Sequence, residues 1–155
     1  MAERQYILFT VANEQYGVPV EQVQSVERMM PIAHVPRTLP FIRGVINLRG
    51  VVTPVIDLRE RFGFPPVDAD ANTRIVIVQV DRFHVGMIVD MVDDVVSIDE
   101  AGVEPPPAMV GGVQAEYLHG VARRGEGVLI LLNLERVLSH AEERQLREAE
   151  KAVRG

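Results

Sequence analysis

The chain has 155 residues, a formal net charge of −6 and no cysteine, and 47% of its residues are hydrophobic. The negative charge argues against a nucleic-acid binder, because phosphate contacts need clustered lysine and arginine. Without cysteine there is no disulfide framework and no thiolate chemistry. No apolar run approaches the ~18 residues of a membrane span, and no signal peptide is recognisable. We therefore expect a cytoplasmic protein with no direct membrane insertion.

The first half of the chain is predicted to be mainly β-structure. Runs of β-prone apolar residues indicate strands at 6–11, 16–20 and 51–56, whereas 22–29 is ambiguous between a short helix and a strand. A proline-rich loop separates the last of these strands from the others. Asp57 follows it and is expected to cap a short helix.

The second half shows the same alternation of strands and turns. Strands are predicted at 74–80, 83–96, 117–121 and 128–132, of which the second is either one long strand or two short ones. Residues 97–114 carry a proline triplet and a glycine pair, and they are expected to form a loop.

The C-terminal segment changes period. Leu134, Val137, Leu138 and Ala141 follow the i, i+3, i+4, i+7 spacing of an amphipathic helix, with Asn133 at its N-cap. The residues after 145 are expected to be the frayed end of that helix.

The two halves match each other at constant register. Residues 41–62 align with 117–138 at a shift of 76 positions, and the segments before them align at a shift of 69. The difference falls in a proline-rich loop, where insertions cost little. The clearest matched pairs are Gly17 with Gly86, Val23 with Val92, Val26 with Val95, Gly44 with Gly120, and Asp57 with Asn133.

Each half carries about five short strands, too few for an open sheet with two protected edges. Closure into a small barrel removes those edges. We therefore predict a mainly β fold of two small β-barrels packed together, with short helices and a C-terminal amphipathic helix. One domain is expected over 1–145 and a helix end over 146–155. Its halves span approximately 16–72 and 73–133, completed by strand 6–12 and helix 134–153.

Known catalytic constellations are missing from the sequence. None of the three serines lies in a Gly-x-Ser-x-Gly elbow, there is no Walker or dinucleotide-binding loop, and no two histidines have metal-ligand spacing. Asp90, Asp93 and Asp94 lack the spacing of a calcium loop and are better explained as an exposed strand face. We predict a protein without catalytic residues, metal or cofactor.

The segment from Arg28 to Arg61 reverses the charge of the chain, because six arginines face only two acidic residues there. Such a patch suits a partner with acidic groups, although unrelated solvated arginines explain it about as well. Arg49 stands apart from the others. It lies between two β runs at the expected tip of a hairpin, where it is placed for contact with a partner.

The run FIRGVINLRGVVTPVIDLR, residues 41–59, closely resembles the signature of the CheW family of chemotaxis coupling proteins. Similarity extends over nearly the whole chain, from about residue 5 to residue 139. It includes Tyr16-Gly17-Val18, the Gly86–Asp90 segment and the closing LILLNLE run at 129–135.

The resemblance implies a non-enzymatic adaptor of two SH3-like five-stranded barrels. Such an adaptor couples the cytoplasmic tip of methyl-accepting chemoreceptors to the regulatory domain of the histidine kinase CheA, within membrane receptor arrays. By position, it implies receptor-binding residues Gly44, Asn47, Arg49, Val92 and Val95. It implies kinase-binding residues Val18, Val23, Gln24 and Val26. Each valine is explained about as well as a core residue.

One position departs from the family pattern. The family often has glutamate after Val23-Gln24, and Ser25 takes that place here. Glu27 lies two residues further on, faces the same side of a strand and is a candidate substitute. Two alternatives to chemotaxis remain from the sequence: a coupling domain of another chemosensory-like pathway, such as twitching motility, and a barrel that binds a small ligand.

Overall fold

The computed structural model describes residues 2–36, 40–110 and 113–137, and this part of the chain is mainly β-structure. Each predicted strand region contains strand structure. The strands are β1 (Glu3–Val11), β2 (Glu14–Pro19), β3 (Val23–Arg28), β4 (Ile42–Leu48), β5 (Val51–Asp57), β6 (Arg74–Val80), β7 (Phe83–Val89), β8 (Met91–Asp99), β9 (Met109–Val110), β10 (Val113–Gln114), β11 (Leu118–Arg124) and β12 (Gly127–Leu132). The α-helices are α1 (Leu58–Arg61) and α2 (Leu134–Val137).

Two five-stranded sheets carry the fold. Barrel 1 has the strand order β11-β12-β2-β1-β8, and barrel 2 has the order β3-β6-β7-β5-β4. In each barrel one pair is parallel, β12 with β2 and β5 with β7, while the other neighbours are antiparallel. The predicted architecture of two packed five-stranded barrels is confirmed.

Each barrel is closed by one isolated β-bridge between its outer strands. Ala33, beyond β3, pairs with Val45 of β4, and Glu104, beyond β8, pairs with Val121 of β11. Gly44 explains how the chains come so close, because a Cβ there would lie 2.0 Å from the carbonyl oxygen of Ala33. The repeat-related Gly120 meets the carbonyl of Glu104 in the same way, at 2.7 Å.

The sheets do not follow the predicted halves of the chain. The hairpin β1–β2 belongs to the first repeat but completes barrel 1 with β8, β11 and β12 of the second. The hairpin β6–β7 belongs to the second repeat but completes barrel 2 with β3, β4 and β5 of the first. The predicted halves 16–72 and 73–133 therefore do not coincide with the two barrels, because each half contributes strands to both.

The largest core cluster lies between the barrels. It takes Phe9, Tyr16 and Val18 from barrel 1, and Val76, Met87 and many others from barrel 2. Smaller clusters fill each barrel, around Leu8 and Leu131 in barrel 1 and around Ile75 and Val55 in barrel 2. Because the shared cluster is the largest, burial of apolar surface favours one body over two independent barrels.

Aromatic rings line the junction between the barrels. Phe62 stacks on Tyr16 at 5.5 Å between centroids and meets Tyr117 at 6.0 Å. The Arg61 guanidinium lies over Phe41 at 4.9 Å and over Tyr117 at 4.7 Å. Phe41 and Tyr117 are repeat equivalents, so one arginine is held between two copies of the same position.

Several local predictions are resolved by the structure. The ambiguous segment 22–29 contains strand β3, preceded by a 3₁₀ helix at Val20–Gln22. Residues 83–96 fall in two strands, β7 and β8. The predicted loop 97–114 is wrong in part, because β8 continues to Asp99, a 3₁₀ helix follows, and β9 pairs with β10.

The two predicted helix caps differ. The Asp57 side chain accepts a hydrogen bond from the Arg59 backbone N–H at 2.9 Å, as predicted for an N-cap. The buried Oδ1 of Asn133 has no hydrogen-bond partner in the described residues, although its backbone carbonyl starts α2. The amphipathic helix predicted beyond Val137 lies outside the described residues. No helix of the described segments is long and apolar enough to cross a membrane.

Candidate partner-binding surfaces

The β4–β5 hairpin ends in a two-residue turn, Arg49-Gly50, between paired Leu48 and Val51. Arg49 has φ +49° and Gly50 has φ +86°, the pattern of a type I′ turn that suits the twist of a hairpin. A left-handed conformation costs a residue with a Cβ about 1–2 kcal/mol. Asparagine and glycine are the usual residues there, so the turn holds Arg49 in a conformation that its side chain does not favour.

The Arg49 side chain is held over strand β3 by Glu27. Its Nη1 donates to Oε1 of Glu27 at 3.4 Å, and its Nη2 donates to Oε2 at 3.3 Å. The Arg49 side chain is 68% exposed, whereas the Glu27 side chain is 17% exposed. The pair therefore fixes the direction of an arginine that remains open to a partner.

Glu27 lies on the side of β3 that the sequence predicts for it, and its substitution for the family's glutamate stays a prediction. Ser25 and Glu27 lie on the same half-buried face of β3, while Gln24 and Val26 face solvent. The Ser25 hydroxyl has no hydrogen-bond partner of good geometry in the described residues. Its proximity nevertheless lowers the pKa of the Glu27 carboxyl, and Arg49 adds to that effect. Glu27, two residues after Ser25, is the carboxylate that pairs with Arg49 in this chain.

Asn47 and Gly44 support the hairpin in different ways. The Oδ1 atom of Asn47 accepts a hydrogen bond from the Gly50 N–H at 2.8 Å, which braces the turn that presents Arg49. Gly44 is buried and has φ +140°, where it allows the barrel to close. Of these two predicted receptor residues, Asn47 is exposed to a partner and Gly44 acts through the backbone.

Four of the five predicted receptor and kinase valines occupy equivalent positions in the two barrels. Val26 on β3 is 40% exposed, and Val95 on β8 is 49% exposed. Val23 and Val92, three residues earlier on each strand, are partly buried against the central core. Since β3 and β8 are edge strands of their sheets, each barrel presents the same kind of edge, with one exposed valine at its centre.

Val18 does not belong to either surface. Its side chain has 0% exposure in the core between the barrels, so its predicted place on the kinase-binding surface is wrong. Strand β2 is buried on both sides there, and the sequence gives no sign of this because an apolar residue suits a core and an interface equally well. Val23, Gln24 and Val26 stay as predictions for that surface.

The sequence did not indicate the ionic links beside the barrel junction. Arg59 of α1 binds Asp90, which follows β7, with 2.7 Å from Nη2 to Oδ2. The Ala12 backbone N–H donates to the same oxygen at 2.9 Å. Burial opposes the charged form of Asp90, but the hydrogen bonds from Arg59 and Ala12 lower its pKa overall. Asp90 thereby ties the β1–β2 turn of barrel 1 to α1 at the end of barrel 2.

The predicted basic patch is largely paired within the chain. Arg43 binds the buried Asp57 at 2.7 Å and approaches Glu60 at 3.5 Å. Arg59 is occupied by Asp90, and Arg61 lies between two rings. Arg49 is the most exposed of the arginines whose ion pairs are described in this segment. Among the described arginines of the patch, Arg49 and Arg28 are therefore the exposed ones. No group of three or more potential metal ligands forms within the described residues.

Comparisons with known proteins place the chain in a family. Residues 5–142 match the model of the CheW-like domain. The chain belongs to the CheW-like domain family. It is 37% identical over 139 residues to the chemotaxis protein CheW of Klebsiella aerogenes, across 90% of this chain and 84% of that protein.

Two further comparisons are with a solved structure and with a second curated relative. The crystal structure of the scaffolding protein TtCheW from Thermoanaerobacter tengcongensis superposes with a TM-score of 0.83 at 34% identity, covering 92% of each chain. Protein FrzA of Myxococcus xanthus is 33% identical over 144 residues, across 92% of this chain and 89% of that protein. The family and the paired-barrel fold expected from the sequence are both confirmed.

Proposed function

We propose that this CheW-like chain is a non-catalytic adaptor that binds a chemoreceptor tip and the regulatory domain of the histidine kinase CheA at the same time. The chemotaxis adaptor role follows from the family. The two specific partners, their surfaces and recruitment to membrane receptor arrays are the proposal. The receptor would contact Asn47 and Arg49 together with the β8 edge at Val92 and Val95.

The kinase surface in this proposal is the β3 edge, formed by Val23, Gln24 and Val26. The carrying observation is that Glu27, beside Val26 on β3, binds Arg49 at the tip of the β4–β5 hairpin. One ion pair thus connects a residue of the receptor surface to the strand of the kinase surface. A change of partner at either surface has a direct physical route to the other.

The mechanism needs no chemistry from the chain. Two partners bound to one rigid body are held at a high effective concentration of each other. If the receptor has different affinities for two states of the bound kinase, linkage transmits the same free-energy difference in both directions. The shared core between the barrels supports this role because it fixes the relative orientation of the two edges.

The test is a pair of calorimetric titrations, with a receptor tip and with the kinase regulatory domain. Arg49→Ala is expected to weaken receptor binding about tenfold, the usual scale of an interface arginine. Its effect on kinase binding is expected to be smaller, about twofold, because the exposed ion pair with Glu27 that it removes contributes little free energy. Arg124→Ala is the matched control, because Arg124 is exposed at the end of β11 beside the repeat-related hairpin of barrel 1.

Substitutions on the β3 and β8 edges test the kinase surface and the receptor surface separately. Val26→Asp is expected to weaken kinase binding, and Val95→Asp to weaken receptor binding, because each places a charge in an apolar contact. Val128→Asp is the control, since Val128 is 48% exposed on β12 and lies outside both surfaces. If the wild-type chain binds neither partner, the adaptor proposal fails. If Arg49→Ala binds the receptor as tightly as wild type, the receptor surface is misassigned.

The resemblance to FrzA favours a second candidate, an adaptor of a chemosensory-like pathway other than swimming chemotaxis. The same two surfaces would serve, with a different receptor and kinase. Titration against receptor tips from both kinds of pathway distinguishes the two, because the native partner is expected to bind more tightly.

A further inference from the structure

The repeat places a pair of polar pockets at equivalent positions beside the barrel junction. The first, of about 330 Å³, is lined in part by Arg43, Asp57, Arg59, Thr73 and Ile88. The second, of about 170 Å³, is lined by residues at the corresponding shifts: His119, Asn133, Glu135, Arg4 and Pro19. The hydrogen bonds of corresponding residues can therefore be compared between the two pockets.

In the first pocket both carboxylate oxygens of Asp57 accept hydrogen bonds. Its Oδ1 caps α1, and its Oδ2 accepts a hydrogen bond from Nη2 of Arg43 at 2.7 Å. The side chain of Asp57 is only 5% exposed, so the guanidinium of Arg43 provides the positive charge that a buried carboxylate requires.

In the second pocket the corresponding acceptor is shielded from solvent and unpaired among the described residues. Asn133 stands in the place of Asp57, and its buried Oδ1 has no partner among the described residues. His119 stands in the place of Arg43, but it faces Glu100, with 3.6 Å from Nε2 to Oε2. No described guanidinium donates to Asn133 as Arg43 donates to Asp57, because Arg4, which also lines this pocket, is paired with Glu21. A buried acceptor without a donor is costly, which makes the pocket a place where a donor from outside gains free energy.

The charge around the second pocket selects the donor. Glu135 lines the pocket, and Glu100 and Glu21 bind its neighbours Tyr6 and Arg4. Glu21 balances the charge of Arg4, which leaves Glu135 as the acidic side chain of the lining. The volume is several times the about 30 Å³ of one water molecule, enough for the end of one long side chain. Both features favour a basic side chain.

We propose that this pocket receives an arginine or lysine side chain of the kinase regulatory domain, hydrogen-bonded to Oδ1 of Asn133 and paired with Glu135. This inference rests on the proposed function. The kinase is the partner because Gln22, which donates to Glu135 at 3.1 Å, directly precedes Val23 on the proposed kinase surface. The pocket extends that surface from the β3 edge of barrel 2 onto barrel 1.

The experiment measures the affinity and salt dependence of the kinase regulatory domain for three variants. Asn133→Leu removes the acceptor and is expected to weaken binding about tenfold, the scale of a hydrogen bond to a charged group. Asn133→Asp restores the carboxylate of the first pocket and is expected to tighten binding several-fold. Glu135→Gln keeps a hydrogen-bonding side chain and is expected to weaken binding and flatten its salt dependence.

The controls distinguish failure of the pocket proposal from failure of the adaptor proposal on which it rests. Asn72→Leu and Asn72→Asp make the same changes at an exposed position and are expected to leave binding unchanged. If wild type binds the kinase domain but Asn133→Asp and Glu135→Gln bind with unchanged affinity, the pocket proposal is overturned and the adaptor stands. If wild type does not bind, both fall. Should Asn133→Leu fail to fold, the other two variants decide the question.

Discussion

Gly44→Ala tests how barrel 2 closes. The added Cβ would lie 2.0 Å from the Ala33 carbonyl oxygen, which is backbone and cannot rotate away. The residue also has φ +140°, a conformation that alanine rarely adopts. The segment carrying Ala33 must therefore move, and the two hydrogen bonds of the Ala33–Val45 bridge, 2.8 and 3.0 Å long, are lost.

The expected cost follows from these two effects. A left-handed conformation costs about 1–2 kcal/mol, and each lost hydrogen bond about 1 kcal/mol. Gly44→Ala is therefore expected to lower the free energy of unfolding by about 3–4 kcal/mol, a large share of the about 5–15 kcal/mol of a typical domain. Urea denaturation followed by circular dichroism measures this difference.

Two other glycines make the comparison decisive. Gly50 has φ +86° but no atom within 4 Å of the position that a Cβ would take, so Gly50→Ala isolates the conformational cost. Gly102 has open space and no positive φ, so Gly102→Ala should fall within about 0.5 kcal/mol of wild type. If Gly44→Ala costs no more than Gly50→Ala, close approach of the two backbones does not explain the glycine.

The remaining predictions concern the acidic junction and the shared core. Folding lowers the pKa of Asp90, so its stabilising contribution is complete above the unfolded value of about 3.9 and is lost as the pH falls through the folded value. Acid titration of stability should therefore decline below about pH 4, less steeply in Asp90→Asn, and equal slopes would contradict this linkage. Tyr16→Phe removes a buried hydroxyl with no hydrogen-bond partner in the described residues and should raise the free energy of unfolding by about 1 kcal/mol. A loss of stability instead would mean that the hydroxyl has a partner, such as an ordered water.

The repeat allowed much of the fold to be predicted. Gly44 and Gly120, which the repeat aligns, have equivalent contacts, because each meets a backbone carbonyl of the segment that closes its barrel. Gly17 and Gly86 behave alike, since Leu131 and Val55, which contact them, are themselves repeat equivalents. Matching positions in sequence therefore predicted matching environments in space.

Pairing between the repeats could not be predicted in the same way. Alignment shows that β2 resembles β7. Each of the two strands could make the same backbone hydrogen bonds in both barrels, so the similarity does not indicate which barrel each one joins. The site has a similar limit. Arg49 was identified by its place at a hairpin tip, whereas Val18 was misplaced and Asp90 was interpreted as an exposed strand residue. Burial and ionic pairing of such residues depend on contacts between segments distant in sequence, which periodicity does not encode.

The exchange of hairpins determines how the chain can come apart. Removing either repeat would take two strands from one barrel and three from the other, so neither barrel could survive the loss. Unfolding should consequently be a single cooperative transition, with no state in which one edge is ordered while the other is lost. For an adaptor this means that both partner-binding edges are present when the chain is folded, and that both are lost together when it unfolds.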